Sequence, residues 1–156
     1  MSVSVQEADF DIGTEVAGMT DGRSDIGALV TFTGLVRDMA GDARIDGMTL
    51  EHYPGMTEQA LIDIVAEAQT RWPLQAVRVI HRHGSLEPGD RIVLVATASP
   101  HRAAAFAAAE FIMDYLKTRA PFWKKEGVPG GGRWVDARDA DASAEARWQS
   151  PQPLSK

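Results

Sequence analysis

Two lysines flank a proline in the segment KTRAPFWKKE, residues 117–126. Pro121 cannot continue a helix, and it favours extended geometry for the residue before it. Lys117 is therefore predicted in the last turn of a helix, and Lys124 on the strand that follows. Because the turn at Pro121 folds the two segments back, both amines could face one space. An amine held beside Phe122 is partly desolvated, and desolvation favours its neutral, reactive form.

Alternation along the predicted strand divides its side chains between two faces. Phe122, Lys124 and Glu126 fall on one face, and Trp123 and Lys125 fall on the other. A partly desolvated lysine can act as an acid, a base or a nucleophile. The alternative is a group of ordinary solvated lysines, which is how most lysines occur in proteins.

A second cationic pair follows a predicted helix start. Ser99 and Pro100 are typical of an N-cap and a first helical position. The next two residues, His101 and Arg102, bring positive charge to a helix end that is already positive. Cations are favoured there when an anion such as phosphate lies between them. The alternative is a surface arginine beside a hydrogen-bonded histidine.

Three further features of the sequence could contribute to a site. Arg37 ends the first predicted strand and could bind an anion or a surface carboxylate. His81 and His83 share a strand face without an evident third ligand, so we expect exposed histidines and no metal. The glycines at 130–132 lack the strand-to-helix context of a phosphate loop. The sequence thus predicts one cationic site for an anionic ligand, built from Arg37, His101, Arg102, Lys117 and Lys124.

The elements that would position these residues follow the order β-β-α-β-β-α-β-β. This order favours an α+β fold with a mostly antiparallel sheet and two main helices packed on it. The helices are predicted over residues 57–72 and 99–118, with Phe106 on the inner face of the second. Residues 38–47 are predicted to form a mobile polar loop. Strands are predicted to begin at Ala28, Met48, Ala76, Arg91 and Phe122, with a possible last strand from Arg133.

The composition limits the class of protein. The chain has 156 residues, a net charge of −6 and no cysteine. The acidic charge argues against general nucleic-acid binding, and the lack of cysteine excludes disulfides, thiolate nucleophiles and zinc–thiolate sites. Without a membrane-length apolar run or a signal-peptide pattern, we expect a cytoplasmic protein. We predict one domain over residues 1–139 and a flexible polar tail over residues 140–156.

Several segments resemble the large, catalytic subunit of molybdopterin synthase. They are VTFTGLVRD, LEHYPGMTE, SPHRAAAF and above all FIMDYLKTRAPFWKKE, and the likeness runs from about Ala28 to Arg138. The resemblance implies an α/β-hammerhead-type fold and a homodimer that forms a heterotetramer with two small ubiquitin-like sulfur-carrier subunits. In that family the carrier's C-terminal Gly-Gly thiocarboxylate gives sulfur to cyclic pyranopterin monophosphate, which builds the dithiolene of molybdopterin. Since the sulfur arrives on a partner, no resident cofactor or metal is expected.

The resemblance also implies roles for particular residues. Lys117 and Lys124 match the family's essential lysines, one to activate the substrate or stabilise an oxyanion, the other to hold phosphate or pterin and assist proton transfer. Which lysine does which stays open. Leu35 departs from relatives that carry a lysine there, and Arg138 is expected to reach the neighbouring subunit's pocket. The substrate-binding residues implied are Leu35, Val36, Arg37, His101, Arg102, Lys117, Lys124, Lys125, Glu126 and Arg138.

Two functions of other classes stay open at this point. One is a lysine enzyme that acts alone, through a Schiff base, on a phosphorylated carbonyl compound. The other is a non-catalytic scaffold whose cationic pocket docks an acidic tail. Borohydride trapping without a carrier would favour the first, and carrier binding without catalysis would favour the second.

Overall fold

The fold is taken from a computed structural model that describes residues 2–40, 43–128, 131–135 and 139–149. Arg138, predicted as a site residue, lies outside these ranges. The helices are α1 (Ile12–Thr20), α2 (Met56–Arg71), α3 (Arg102–Arg119) and α4 (Asp139–Arg147). The strands are β1 (Val3–Gln6), β2 (Ala28–Leu35), β3 (Met39–Ala40), β4 (Ala43–Arg44), β5 (Gly47–His52), β6 (Ala76–Arg82), β7 (Gly84–Leu86), β8 (Arg91–Ser99), β9 (Phe122–Val128) and β10 (Gly131–Val135).

Two four-stranded sheets form the framework. The first has the order β1-β6-β8-β2, in which the β1–β6 pair is parallel and the other two pairs are antiparallel. The second has the order β10-β9-β5-β7, and its pairs are antiparallel. Helices combined with mostly antiparallel strands confirm the predicted α+β class. The segment predicted as a loop, residues 38–47, contains the short paired strands β3 and β4.

The main core lies between the first sheet and helices α2 and α3. The buried stripe of α3 runs through Ala105, Ala108 and Ile112, each of which is fully buried. Phe106, predicted on the inner face, is 63% exposed, so that prediction is wrong. Successive helical residues differ by about 100° in direction. The small alanines at positions 105 and 108 let α3 approach the sheet closely, and this turns Phe106 outward.

Both long helices begin at other residues than the sequence predicts. Ser99 ends β8, its hydroxyl accepts a hydrogen bond from the His101 N–H at 3.1 Å, and α3 starts at Arg102. Helix α2 starts at Met56. Thr57 is buried inside its first turn, where its hydroxyl donates to the Pro121 carbonyl at 3.3 Å. This bond ties α2 to the turn that leads into β9.

The structure describes residues 140–149 of the segment predicted as a flexible tail, and residues 150–156 of that prediction lie outside the described residues. Residues 139–147 form α4, which packs on α3. Trp148 is only 5% exposed, and its indole N–H donates to the Asp114 carboxylate at 2.6 Å. Its ring meets Phe111 and Trp72 edge-on, with centroids 5.5 and 5.6 Å apart. Because the segment is mostly polar, its composition did not indicate that the Trp148 side chain would be buried.

Replacing Trp148 by alanine is expected to lower the free energy of unfolding by about 3–5 kcal/mol, because it leaves a cavity beside Phe111 and removes the indole hydrogen bond to Asp114. Denaturant unfolding of both proteins measures the difference. The exposed neighbour Gln149 supplies a matched control, since its replacement by alanine should change stability by less than about 0.5 kcal/mol. Equal stability of the Trp148→Ala protein and the wild type would contradict the packing described here.

Among the described residues, no helix is both long enough and apolar enough to cross a membrane. The cytoplasmic location expected from the sequence stays a prediction.

Candidate active site

The last turn of α3 lies beside the end of β2. Strands β2 and β8 are antiparallel, with Ala28 opposite Ser99 and Gly34 opposite Val93. Helix α3 starts beside the first of these pairs, where the Thr97 hydroxyl donates to the Ala105 carbonyl at 2.7 Å. It then runs back along both strands for about 27 Å. The end of α3 that carries Lys117 is therefore level with Gly34, close to the residues Leu35, Val36 and Arg37.

The second lysine, Lys124, lies on β9 of the second sheet. On β9, Phe122 lies opposite His52 and Lys124 lies opposite Leu50 of β5. Because directly opposed residues share a face, Lys124 lies on the side of the sheet where Leu50 is buried. Leu50 belongs to one apolar cluster with Val36, which links this face to the end of β2. Lys124 is half-buried there.

An open pocket of about 650 Å³ adjoins this junction. The backbone of Val36 is fixed at its edge, since its N–H donates to Asp90 at 2.9 Å and its carbonyl accepts from Gly89 at 2.8 Å. Val36 itself is 3% exposed, whereas Leu35 is 54% exposed and Arg37 is exposed. The pocket is lined by Val36, Arg37, Asp38, Met39, Pro88 and Gly89.

A buried histidine lies at the same junction. His81, expected to be exposed, is only 5% exposed, so that prediction is wrong. Val77, Val79 and His81 are two residues apart along β6, so alternation places all three on the inner face of this strand. This spacing can be seen in the sequence. Its ring stacks on Phe122 with centroids 3.8 Å apart and 20° between the planes. His83 is half-buried beyond the strand end, with its ring centroid 4.3 Å from that of His52.

Burial lowers the pKa of His81 to about 4, partly offset by a hydrogen bond to the Arg82 carbonyl. The charge of Lys117 is the next cause, followed by His52 and His83, and all three lower the pKa of His81 further. The imidazole is therefore neutral near pH 7. The influence of Lys117 is consistent with the direction of α3, whose last turn is level with this end of the first sheet.

The lowered pKa of His81 predicts a loss of stability in acid. An unfolded histidine binds its proton near pH 6.5, whereas folded His81 binds one only near pH 4, so stability falls as pH decreases through this interval. The loss is on the order of 3 kcal/mol. Denaturant unfolding at several pH values between 7 and 4 should show a smaller loss for His81→Phe. Identical pH dependence in the two proteins would contradict a neutral buried His81.

The second predicted cationic pair lies at the far end of the same helix. His101 and Arg102 are exposed at the start of α3, whose N-cap makes no side-chain hydrogen bond and whose first turn holds no acidic residue. A rise of 1.5 Å per residue places Arg102 about 22 Å from Lys117 along the helix. Within one chain, the predicted site is therefore divided into two groups of cations.

The remaining predicted residues follow β9. Lys125 is exposed and lies on the same face of β9 as Trp123. The backbone of Glu126 pairs with that of Met48 on β5. Sequence reasoning missed His81 and Thr57 as neighbours of the lysine segments. Among the residues that the structure covers, no cluster of three or more histidine, aspartate or glutamate side chains could hold a metal.

Comparisons with known proteins agree on one family. Residues 5–119 match the family described as MoaE protein. The molybdopterin synthase catalytic subunit of Mesorhizobium japonicum is 54% identical over 151 residues, 96% of this chain and 94% of that protein. The protein of the same name from Vibrio cholerae is 58% identical over 147 residues, 94% of this chain and 97% of that protein.

Solved structures show the same similarity. The molybdopterin biosynthesis MoaE protein from Burkholderia ambifaria matches with a TM-score of 0.81 and 54% identity, covering 96% of this chain and 98% of that one. Molybdopterin synthase from Staphylococcus aureus matches with a TM-score of 0.79 and 30% identity, covering 85% of this chain and 95% of that one.

Proposed function

Because the chain belongs to the MoaE protein family, we propose that it is the catalytic subunit of a molybdopterin synthase, a sulfurtransferase. Its sulfur donor is the C-terminal thiocarboxylate of a small ubiquitin-like carrier subunit, and its acceptor is cyclic pyranopterin monophosphate. The product carries the dithiolene of molybdopterin. The observation that supports this proposal is the position of His81, which stacks on Phe122 of β9, two residues before Lys124, and is among the groups on which the charge of Lys117 acts.

The chemistry of this junction suits an anionic donor and an anionic acceptor. Arg37, Lys117 and Lys124 supply positive charge on a chain whose net charge is −6. The pocket volume of about 650 Å³ falls in the range that small-molecule sites occupy. The chain has no cysteine that could carry a persulfide, which fits a sulfur that is delivered by a partner.

The lysines would act on the acyl group of the carrier and on the substrate. The thiocarboxylate sulfur forms a bond to a substrate carbon, and a carbon–oxygen bond of that carbon breaks as its oxygen takes up a proton and departs. Water then attacks the carrier's acyl carbon and cleaves its bond to the sulfur, which stays on the substrate. The carrier leaves as a carboxylate. We assign Lys117 to the oxyanion that forms on the acyl carbon, where a nearby cation lowers the barrier. Lys124 holds the phosphate or the pterin and assists proton transfer.

A second copy of the chain would complete the site. Strand β2 is an edge strand of its sheet, and Phe32 and Leu35 on it are 42% and 54% exposed. In an antiparallel pair of two β2 strands, the start of one lies beside the end of the other. In each copy, His101 and Arg102 lie beside the start of β2, because Ala28 pairs with Ser99. His101 and Arg102 of the second copy would then lie near Arg37 and Lys117 of the first copy.

The start of α3 suits the phosphate of the substrate. Its first backbone N–H groups lack a side-chain cap, and Arg102 adds a donor that can bind two phosphate oxygens. Phe106 is exposed one turn further along, where a neighbouring chain could bury it. We propose that Arg138, Lys125 and Glu126 add contacts to the substrate, Arg138 from the neighbouring subunit.

Reconstitution tests this function. The protein is mixed with a thiocarboxylated carrier and cyclic pyranopterin monophosphate, and the dithiolene product is measured after oxidation to a fluorescent derivative. We expect product with the thiocarboxylate and none with a carrier that ends in an ordinary carboxylate. Carrier binding without product would favour the scaffold. Borohydride trapping of a lysine adduct with a phosphorylated carbonyl compound alone would favour the Schiff-base enzyme.

A further inference from the structure

His81 occupies a place where three chain segments meet. It projects from the inner face of β6, beside the end of α3 and the first residue of β9. Buried polar side chains need hydrogen-bond partners, and the Nδ1 atom of His81 lies 2.8 Å from the Arg82 carbonyl oxygen. A carbonyl can only accept, so Nδ1 carries the proton. The Nε2 atom of the neutral ring therefore keeps its lone pair.

The ring is in contact with the strand of Lys124. Phe122 stacks on His81 in a nearly parallel arrangement, at 3.8 Å between centroids. Phe122 and Lys124 are two residues apart on β9, so their side chains project from one face of that strand. A shift of the Phe122 ring therefore moves the backbone that carries Lys124.

The same ring lies within the field of Lys117. The Lys117 ammonium, on the last turn of α3, is among the charges that act on His81. The other titratable groups that act on this ring are His52, from β5, and His83, from the segment after β6. A positively charged side chain in the place of the neutral imidazole would repel the ammonium. An uncharged ring leaves it beside the junction.

We propose that His81 is a positioning residue for sulfur transfer, which fixes the place of the Lys117 amine relative to the Lys124 amine. It does so as a buried ring that stacks on Phe122 and lies within the electrostatic influence of Lys117. The inference rests on the proposed function for its kinetic consequence, but the placement of the lysines can be measured without it. His81 itself touches neither donor nor acceptor in this account.

The direct test measures amine reactivity. The chain has four lysines, Lys117, Lys124, Lys125 and Lys156, so trace acetylation followed by peptide mass spectrometry resolves each of them. In His81→Ala, we expect the rates of Lys117 and Lys124 to change by about threefold or more relative to Lys125, which lies on the other face of β9. In His81→Phe, which keeps a stacked ring, the Lys124 rate should return toward that of the wild type. Unchanged relative rates in His81→Ala would overturn the proposal.

The kinetic test separates positioning from a general loss of stability. Single-turnover transfer in His81→Ala should be slower by about tenfold to a hundredfold, because small displacements of reacting groups have effects of this size. Carrier affinity should be unchanged. The control is Thr97→Val, which removes another buried hydrogen bond from the same core, far from both lysines. Its stability should fall while its transfer rate holds.

Two outcomes would count against the inference. Equal transfer rates in His81→Ala and Thr97→Val, at matched fractions of folded protein, would reduce His81 to a packing residue. Failure of His81→Phe to recover any of the lost rate would show that stacking on Phe122 does not place Lys124. Absence of transfer in the wild type would instead contradict the proposed function, and the acetylation result would still decide the placement of the lysines.

Discussion

Replacing Lys117 by alanine is expected to reduce the rate of sulfur transfer by about a hundredfold to a thousandfold, the usual cost of removing one group that stabilises an oxyanion. Lys117 is exposed on the last turn of α3, so its loss should leave the fold intact. The rate is measured in a single turnover with saturating carrier and substrate. Under these conditions a pure binding defect would not appear.

Arg119 offers a control for Lys117 on the same helical turn. Its side chain pairs with Glu145 at 2.7 Å and lies over the Tyr115 ring, away from the lysine junction. Arg119→Ala removes one cation and should keep the transfer rate of the wild type. If Lys117→Ala and Arg119→Ala transferred sulfur equally fast, the role assigned to Lys117 would be wrong.

Replacing His101 and Arg102 together by alanine is expected to lower kcat/KM by about a hundredfold or more, because each would donate a charge-assisted hydrogen bond to the phosphate. The loss should appear mainly in KM for the pterin, with stability unchanged, because both side chains are exposed. Steady-state kinetics with varied pterin concentration measures it. A loss in kcat alone would place the pair at the reacting atoms instead.

Arg23 provides the matched control for this second prediction. It is a surface arginine that is already paired with Asp25 at 2.8 Å. Arg23→Ala should therefore keep KM for the pterin. A similar rise in KM in both variants would indicate a general effect of lost positive charge rather than a site at the start of α3.

The elements around the lysines were predictable because their signals are local. Pro121 ends α3 near Arg119 whatever the rest of the chain does, and alternation along β9 then fixes the faces of Lys124 and Lys125. The long apolar stretch of β8 likewise predicts a buried strand. The first strand and α1 were missed, since β1 has only four residues and α1 has no fully buried side chain to create a periodic pattern.

The separation of the predicted site residues into two groups could also be derived from the sequence, from the length of the predicted helix. A helix predicted from residue 99 to 118 already separates its two ends by more than 20 Å on the ordinary rise per residue. Residue types alone suggested that His101, Arg102 and Lys117 share a cavity. Their separation along α3 rules this out within one chain, and the second copy proposed above is what would bring these cations together.

The buried side chains His81 and Trp148 show why polarity misleads in single positions. His81 alternates in step with the valines of β6 and is therefore on the buried face of the strand. Its polar ring can be buried there because the Arg82 carbonyl forms a hydrogen bond with one ring nitrogen. Trp148 ends a polar segment, yet one large ring buried against Phe111 holds α4 in place. The burial of His81 follows from the alternation along β6, whereas the Trp148 contact cannot be derived from local pattern because it joins segments distant in the chain.

The most direct measurement of the central claim uses dimers of two different chains. One chain carries Lys117→Ala and the other carries His101→Ala with Arg102→Ala, and separate affinity tags allow the mixed dimers to be purified. If the site joins Lys117 of one copy to His101 and Arg102 of the other, each mixed dimer has one intact site, and its transfer rate at a pterin concentration well below KM should be roughly half that of the wild type. Mixed dimers as inactive as the two parent dimers would contradict a site shared between two copies.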